Sequence, residues 1–234
     1  MTKKQLQFMQ ANPAGFLKLP KGINKVPTLR ASKSFVAPTM VNSMGLCTVT
    51  ENQGATSKCA AYATTSFAEN ILWRQDNYPQ QFDYDKVYAK AKEIDGDPDE
   101  GTTLTAAMEA FLAVYPKLFD KSCKPKIIRA WGGNMDDVRY AVHKYGCIVG
   151  GFNITEDWYA CDNKCKGWIP SKGGKPVGGH AVLICGYNKN GLQIQNSWGP
   201  QFGESGFATL SWKDASEQFL YGCTLVGCMK HIDD

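Results

Sequence analysis

The hydrophobic pattern of this 234-residue chain changes period once, at Gly146. Upstream, Ala63, Phe67, Ile71 and Leu72 recur at helix spacing from Cys59 onward, with Ala60, Ala61 and Ala68 between them. Ser57 or Thr56 is placed to cap that helix. A second helical segment runs from about Tyr84 to Ile94, and a third from Leu104 to Tyr115, where Pro116 stops it. Asn134 with Asp136 and Asp137 opens a fourth that extends to Gly146. Downstream, Cys147 to Ile154, His180 to Tyr187, Gly191 to Gln195, Gly206 to Trp212 and Phe219 to Met229 are rich in β-branched or aromatic residues and read as strands. Helices first and strands second predict an α+β fold with two lobes.

The length fits one large domain or two small lobes with a real core. A formal charge of +4, with Lys scattered among acidic residues, argues against nucleic acid as a partner. No apolar run reaches the roughly 18 residues of a membrane helix, so no membrane association is expected. Met1-Thr2-Lys3-Lys4-Gln5-Leu6 leads into no apolar stretch, so no secretory signal is read. That favours a cytoplasmic or virion-associated protein over a secreted one. Nothing in the sequence implies a cofactor, and a monomer is expected.

Nine cysteines are many for a reducing compartment, yet the lack of a signal argues against a disulfide framework. Cys161 and Cys165 are the closest pair, a metal half-site or simply two thiols. No second Cys/His pair with zinc spacing accompanies them. Cys223 and Cys228, five apart on a strand, point to opposite faces.

Residues 1–41 carry prolines at 13, 20, 27 and 38 and weak periodicity. They read as an N-terminal arm packed on the body, or as a short pro-segment that occludes a cleft. The remainder, 42–234, forms the main domain, with a helical lobe over about 55–125 and a β lobe over about 126–234.

Three motifs carry the chemistry: Gln53-Gly54-Ala55-Thr56-Ser57-Lys58-Cys59-Ala60, Gly179-His180-Ala181-Val182-Leu183-Ile184-Cys185-Gly186-Tyr187, and Gln195-Asn196-Ser197-Trp198-Gly199. A lone cysteine is usually a small buried hydrophobe, and a lone histidine is usually structural. Here, however, the thiol opens a helix. His143 falls in a helix beside Lys144 and His231 lies near the end, which leaves His180 as the candidate base. At these motifs the chain resembles the papain-like cysteine peptidases, from about Leu46 to the C-terminus. That family places its Cys on a helical lobe and its His and Asn on a sheet lobe. His180 and Asn196 follow Cys59 by 121 and 137 residues, near the roughly 130–150 of that family.

The resemblance implies a role for each residue. Cys59 is the nucleophile, its thiolate favoured by the helix N-terminus and an imidazolium. His180 takes the thiol proton and returns it to the leaving amine. Asn196 holds the imidazole in its useful tautomer, and Trp198 shields that hydrogen bond. The Gln53 side chain and the Cys59 backbone N–H donate to the developing oxyanion. Gly101 and Thr102 form an edge that pairs with the substrate backbone, and the Gly179 carbonyl accepts a hydrogen bond near the scissile bond. The flank departs from the cathepsin pattern: Ser57-Lys58 stands where Gly-Ser is usual and Ala60 where Trp is usual. This points to a bacterial or viral branch, and Lys58 is expected to lower the thiol pKa further.

The acidic loop Asp95-Gly96-Asp97-Pro98-Asp99-Glu100-Gly101-Thr102 begins like a calcium loop but lacks the glycine at position six and the glutamate at position twelve. Beside a substrate edge, its carboxylates would favour basic side chains in the peptide. The expected function is a cysteine endopeptidase working through a thioester acyl-enzyme. The alternatives are a silent binding protein of the same fold, or a transpeptidase or deamidase with the same thioester chemistry.

Overall fold

A computed structural model describes residues 17–18, 26–76, 80–119, 125–131 and 134–227. Three α-helices form the helical lobe: α1 (Cys59–Asp76), α2 (Tyr84–Asp95) and α3 (Leu104–Val114). Asp83 caps α2 by accepting from the Lys86 N–H, and Gly96, in the left-handed region at φ 61°, ends it. Thr103 caps α3 by accepting from the Ala106 N–H. The cap expected from Ser57 or Thr56 on α1 does not form. The Ser57 hydroxyl pairs with Tyr88 Oη at 2.9 Å, and Thr56 Oγ1 donates to the Gln53 carbonyl at 2.7 Å. Both side chains instead shape the loop that leads into the helix.

Eight strands form one sheet among the described residues: β1 (Thr28–Leu29), β2 (Val41–Asn42), β3 (Lys126–Trp131), β4 (Ile148–Thr155), β5 (Pro176–Asn188), β6 (Gly191–Gln195), β7 (Phe207–Ser211) and β8 (Phe219–Val226). Their order is β1-β3-β8-β4-β5-β6-β7, and β2 also pairs with β5. Two helices belong to this lobe, α4 (Met135–Tyr145) and α5 (Trp212–Gln218). Asn134 caps α4 as expected, accepting from Asp136 N–H. β1 pairs with β3, so the arm enters the sheet already at Thr28.

β5 reads as a continuous apolar run because both its faces are covered. Ala181, Leu183 and Cys185 pack with Cys59, Phe67, Leu72, Leu104 and Phe111 from the helical lobe. Val182 and Ile184 pack on the opposite face with Val138, Val142, Leu192 and Trp198. The period of two sorts one strand between two cores, and α1 docks where His180 begins the buried stretch. Cys223 is buried, whereas Cys228 lies outside the described residues.

Candidate active site

Cys59 is the first residue of α1 and only 1% exposed. It shares one buried cluster with Ala181, the residue next to His180 on β5. The first residue of the helical lobe's first helix therefore meets the strand that carries the histidine. His180 is fully buried. Its Nε2 lies 2.8 Å from Asn196 Oδ1, and the Ser197 backbone N–H donates to that same oxygen at 2.8 Å. A backbone N–H can only donate, so the Asn196 atom is an acceptor. Nε2 then donates a proton to it, and in the neutral imidazole Nδ1 is the bare lone pair. Among the described residues Nδ1 has no hydrogen-bond partner.

Trp198 lies on this pair. Its ring centroid is 4.7 Å from that of His180 at 31°, and Tyr159 stacks on its other side at 4.8 Å and 10°. The edge of Trp158 meets His180 at 6.2 Å. Trp198 and Trp158 thus pack on His180, with Tyr159 on Trp198, and both His180 and Asn196 are buried.

Gln53 lies across from them. Its Nε2 donates to the Thr56 carbonyl at 2.8 Å, and its Oε1 accepts from the Ser197 hydroxyl at 2.6 Å. The Gln53 backbone N–H donates to the Ser197 carbonyl at 2.8 Å. Gly54, at φ 56°, supplies the left-handed turn between Gln53 and Cys59. Ser197 was given no role in the sequence, although it lies inside the Asn-Ser-Trp-Gly motif.

Burial governs the charge state of the pair. It pushes the Cys59 thiol up to about 11. It pulls His180 down to about 4, against the raising effect of the Asn196 bond. Burial thus favours the neutral forms of thiol and imidazole in this conformation, opposing the thiolate that the helix N-terminus favours. The Lys58 expectation is also corrected. Its ammonium pairs with Asp85 at 2.6 Å and lies 5.9 Å over the Tyr88 ring, so its charge is spent on α2 and not on the thiol.

The arm returns to this site. Leu17 N–H donates to the Gly179 carbonyl at 3.3 Å, and Lys18 N–H donates to the Thr102 carbonyl at 3.1 Å. Tyr221 Oη donates to the Lys18 carbonyl at 3.1 Å and accepts from the Leu104 N–H. Sheet register puts Tyr221, Gly151 and Ala181 in one row across β8, β4 and β5. A Cβ at Gly151 would stand 2.4 Å from Leu17 Cδ2, so the missing side chain makes room for the leucine. Tyr221 gives no local signal, because only strand pairing brings it here. Of the two edge glycine-loop residues, Thr102 offers its carbonyl to the arm. Gly101 is used internally: its N–H donates to Tyr88 Oη, and its carbonyl accepts from Lys92.

The acidic loop closes on a cation of its own. Lys92 Nζ reaches Asp95 at 3.1 Å and the carbonyls of Asp99 and Gly101 at 2.8 and 3.0 Å. An ammonium thus sits where the calcium reading would put an ion. Cys161 and Cys165 have their sulfurs 2.8 Å apart, and among the described residues no group of three His, Cys, Asp or Glu side chains could hold a metal.

A helical lobe bearing the thiol and a sheet lobe bearing His180 and Asn196 define the papain-like fold. The solved structure of xylellain, a cysteine protease from Xylella fastidiosa, superposes with a TM-score of 0.72 at 19% identity, covering 94% of this chain and 98% of that one. Procathepsin B S9 from Trypanosoma congolense gives 0.70 at 16% identity, covering 96% and 89%. In sequence the chain is 36% identical over 101 residues to cathepsin B-like cysteine proteinase 3 of Caenorhabditis elegans, which is 42% of this chain. The match spans 26% of that relative's length. No family model matches the chain.

Proposed function

We propose that the protein is a cysteine endopeptidase, with Cys59 as nucleophile and His180 as its base. The observation that carries this reading is the hydrogen bond between His180 and Asn196. Asn196 accepts from Nε2 and, in the neutral imidazole, leaves Nδ1 as a buried lone pair with no partner among the described residues. Such a nitrogen accepts the thiol proton as sulfur attacks a carbonyl. The resulting imidazolium then protonates the leaving amine, and water repeats the sequence on the thioester. Gln53 spends one Nε2 hydrogen on Thr56, and the second is the oxyanion donor beside the Cys59 N–H. An epoxysuccinyl inhibitor followed by intact mass tests the reading. One adduct is expected on Cys59, lost in Cys59→Ala and strongly slowed in His180→Ala. Equal labelling of wild type and His180→Ala would overturn it.

Within this reading the arm is an occluding pro-segment. Leu17 and Lys18 fill the hydrogen-bonding groups that the Gly179 and Thr102 edges would offer a substrate. The body of a bound peptide and the arm cannot be present together. Self-cleavage upstream of Cys59 in wild type and its absence in Cys59→Ala is the expected outcome; an arm that stays intact while the protein turns over peptides would refute it. Peptides or proteins are the substrates in this reading.

A further inference from the structure

We propose that the groove under the acidic loop is a recognition site for a lysine or arginine of the substrate, with Asp97 as the residue that reads it. This rests on the peptidase reading above. The groove, about 460 Å3, is bounded by Asp95, Asp97, Pro98, Thr103, Ala106 and Glu109. It begins where the Thr102 edge ends. A side chain on the residue whose N–H pairs with Thr102 therefore points into it.

The arm supplies such a residue. Lys18 pairs its backbone with Thr102 and Tyr221, and its Nζ lies 2.7 Å from Asp97 Oδ2 and 3.2 Å from the Asp99 carbonyl. Asp97 is built to receive it. Its backbone N–H donates to Asp95 Oδ1, and its Oδ1 accepts from Asp99 N–H, so Oδ2 is left to face the groove. The Lys18 hydrogen bond holds the Asp97 carboxyl below its ordinary range. Lys92 is hydrogen-bonded to Asp95, which also accepts from the Thr102 hydroxyl, so Lys92 acts on Asp97 only through space and leaves Oδ2 to Lys18. When the arm leaves, Asp97 and the exposed Glu109 keep the groove negative, and a basic substrate side chain replaces the Lys18 ammonium. Leu17 beside it fits the apolar space over Gly151. The cleft then selects a basic residue next to a leucine.

The test uses the full-length chain and three tripeptidyl vinyl sulfones. Each carries glycine at the reactive end, leucine before it, and Lys, Gln or Glu before the leucine. Cys59 labelling is followed by intact mass. The arm competes equally with all three, so the ratio of rates reports the groove. Lys is expected to react fastest and Glu slowest, with a Lys/Glu ratio of about tenfold, and Asp97→Lys is expected to invert that ratio. Equal Lys and Glu rates, alongside normal labelling by the epoxysuccinate, would overturn the groove assignment and leave the peptidase reading standing. Absence of labelling by every reagent would remove both.

A charge swap gives a second readout without peptides. Lys18→Glu places like charges together and should speed epoxysuccinate labelling about fivefold, the scale of a partly exposed ion pair. Adding Asp97→Lys to it should restore the slow rate. Failure of the double variant to slow labelling would overturn the pairing on which the proposal stands.

Discussion

Ser197 donates its hydroxyl to Gln53 Oε1 at 2.6 Å, joining the residue after the imidazole-orienting asparagine to the proposed oxyanion donor. The bond is buried and bridges the loop before α1 to the loop after β6. It makes the position of Gln53 depend on the segment that positions His180. Ser197→Ala leaves Oε1 buried without this partner, which costs about 1–2 kcal/mol. A positioning role predicts more than that loss. Acylation should fall about tenfold with KM nearly unchanged, because a misplaced Gln53 donates less well only as the oxyanion forms. Single-turnover kinetics on Ser197→Ala and Ser197→Thr separate the two. Rescue by Thr is expected, and a drop confined to KM would contradict the positioning role.

Gly179 touches the arm at its backbone. A Cβ there would stand 2.5 Å from the Leu17 carbonyl oxygen, so Gly179→Ala should push the arm out of the cleft. Water then reaches the pair. In wild type, burial pushes Cys59 up to about 11 and His180 down to about 4, which favours the neutral forms. Alkylation by iodoacetamide should therefore climb steeply with pH toward 11, since only the thiolate reacts. In Gly179→Ala the midpoint should fall by at least about 2 pH units as hydration lets the thiolate–imidazolium pair form. Superimposable profiles would show that the arm does not set the state of the thiol.

Lys92 ties the acidic loop to α2 by contacts with Asp95, Asp99 and Gly101. The Asp95 side chain is only 9% exposed. Lys92→Met would leave that carboxylate with its Thr102 hydroxyl but without a cation. A loss of about 2–3 kcal/mol is expected, the range for removing one partner of a charged hydrogen bond. Hydrogen exchange should quicken across 95–102 and leave β5 unaffected. Uniform protection in the variant would mean the lysine holds nothing in place.

Much of this molecule is legible in local sequence. α2, α3 and α4 announce themselves through Asp83, Thr103 and Asn134 at their starts, and β5 through its unbroken apolar run. Cys59, His180 and Asn196 stand out because Gly54, Gly179 and Gly199 flank them with turn and close-approach signals. Elsewhere the information is non-local. Ser211 reads as the end of a strand, yet it caps α5 by accepting from the Asp214 N–H, so the strand expected to reach Trp212 stops at Ser211. β3 was not expected, because its residues gain their meaning from pairing with β8 nearly a hundred positions later. Tyr221 enters the cleft only through the register that aligns it with Gly151. The upward push of burial on the thiol was also not readable. A helix N-terminus and a nearby lysine both favour thiolate, and it takes the packed structure to show that burial opposes the first and Asp85 removes the second.

Glu69 gives the fold a pH dependence of unusual sign for a carboxylate. It is buried on α1, accepting from the Thr48 hydroxyl and from the Phe82 N–H at 3.1 Å. Burial pushes its carboxyl up to about 7, opposed by those two bonds and reinforced by Glu51. The unfolded value is about 4.3. A folded pKa above the unfolded one means the native state binds the proton more tightly. The contribution is therefore complete below about pH 4.3 and is lost as pH rises through 7. The full change amounts to about 4 kcal/mol, and the part that falls between pH 5 and pH 8 to about 3 kcal/mol. Glu69→Gln keeps the shape and cannot ionise. Urea unfolding of both proteins at pH 5 and pH 8 should show wild type losing stability relative to the Gln variant by about that amount. A wild type that gains on the variant as pH rises would mean the carboxylate is charged and compensated in the native fold, which the apolar surroundings of α1 argue against.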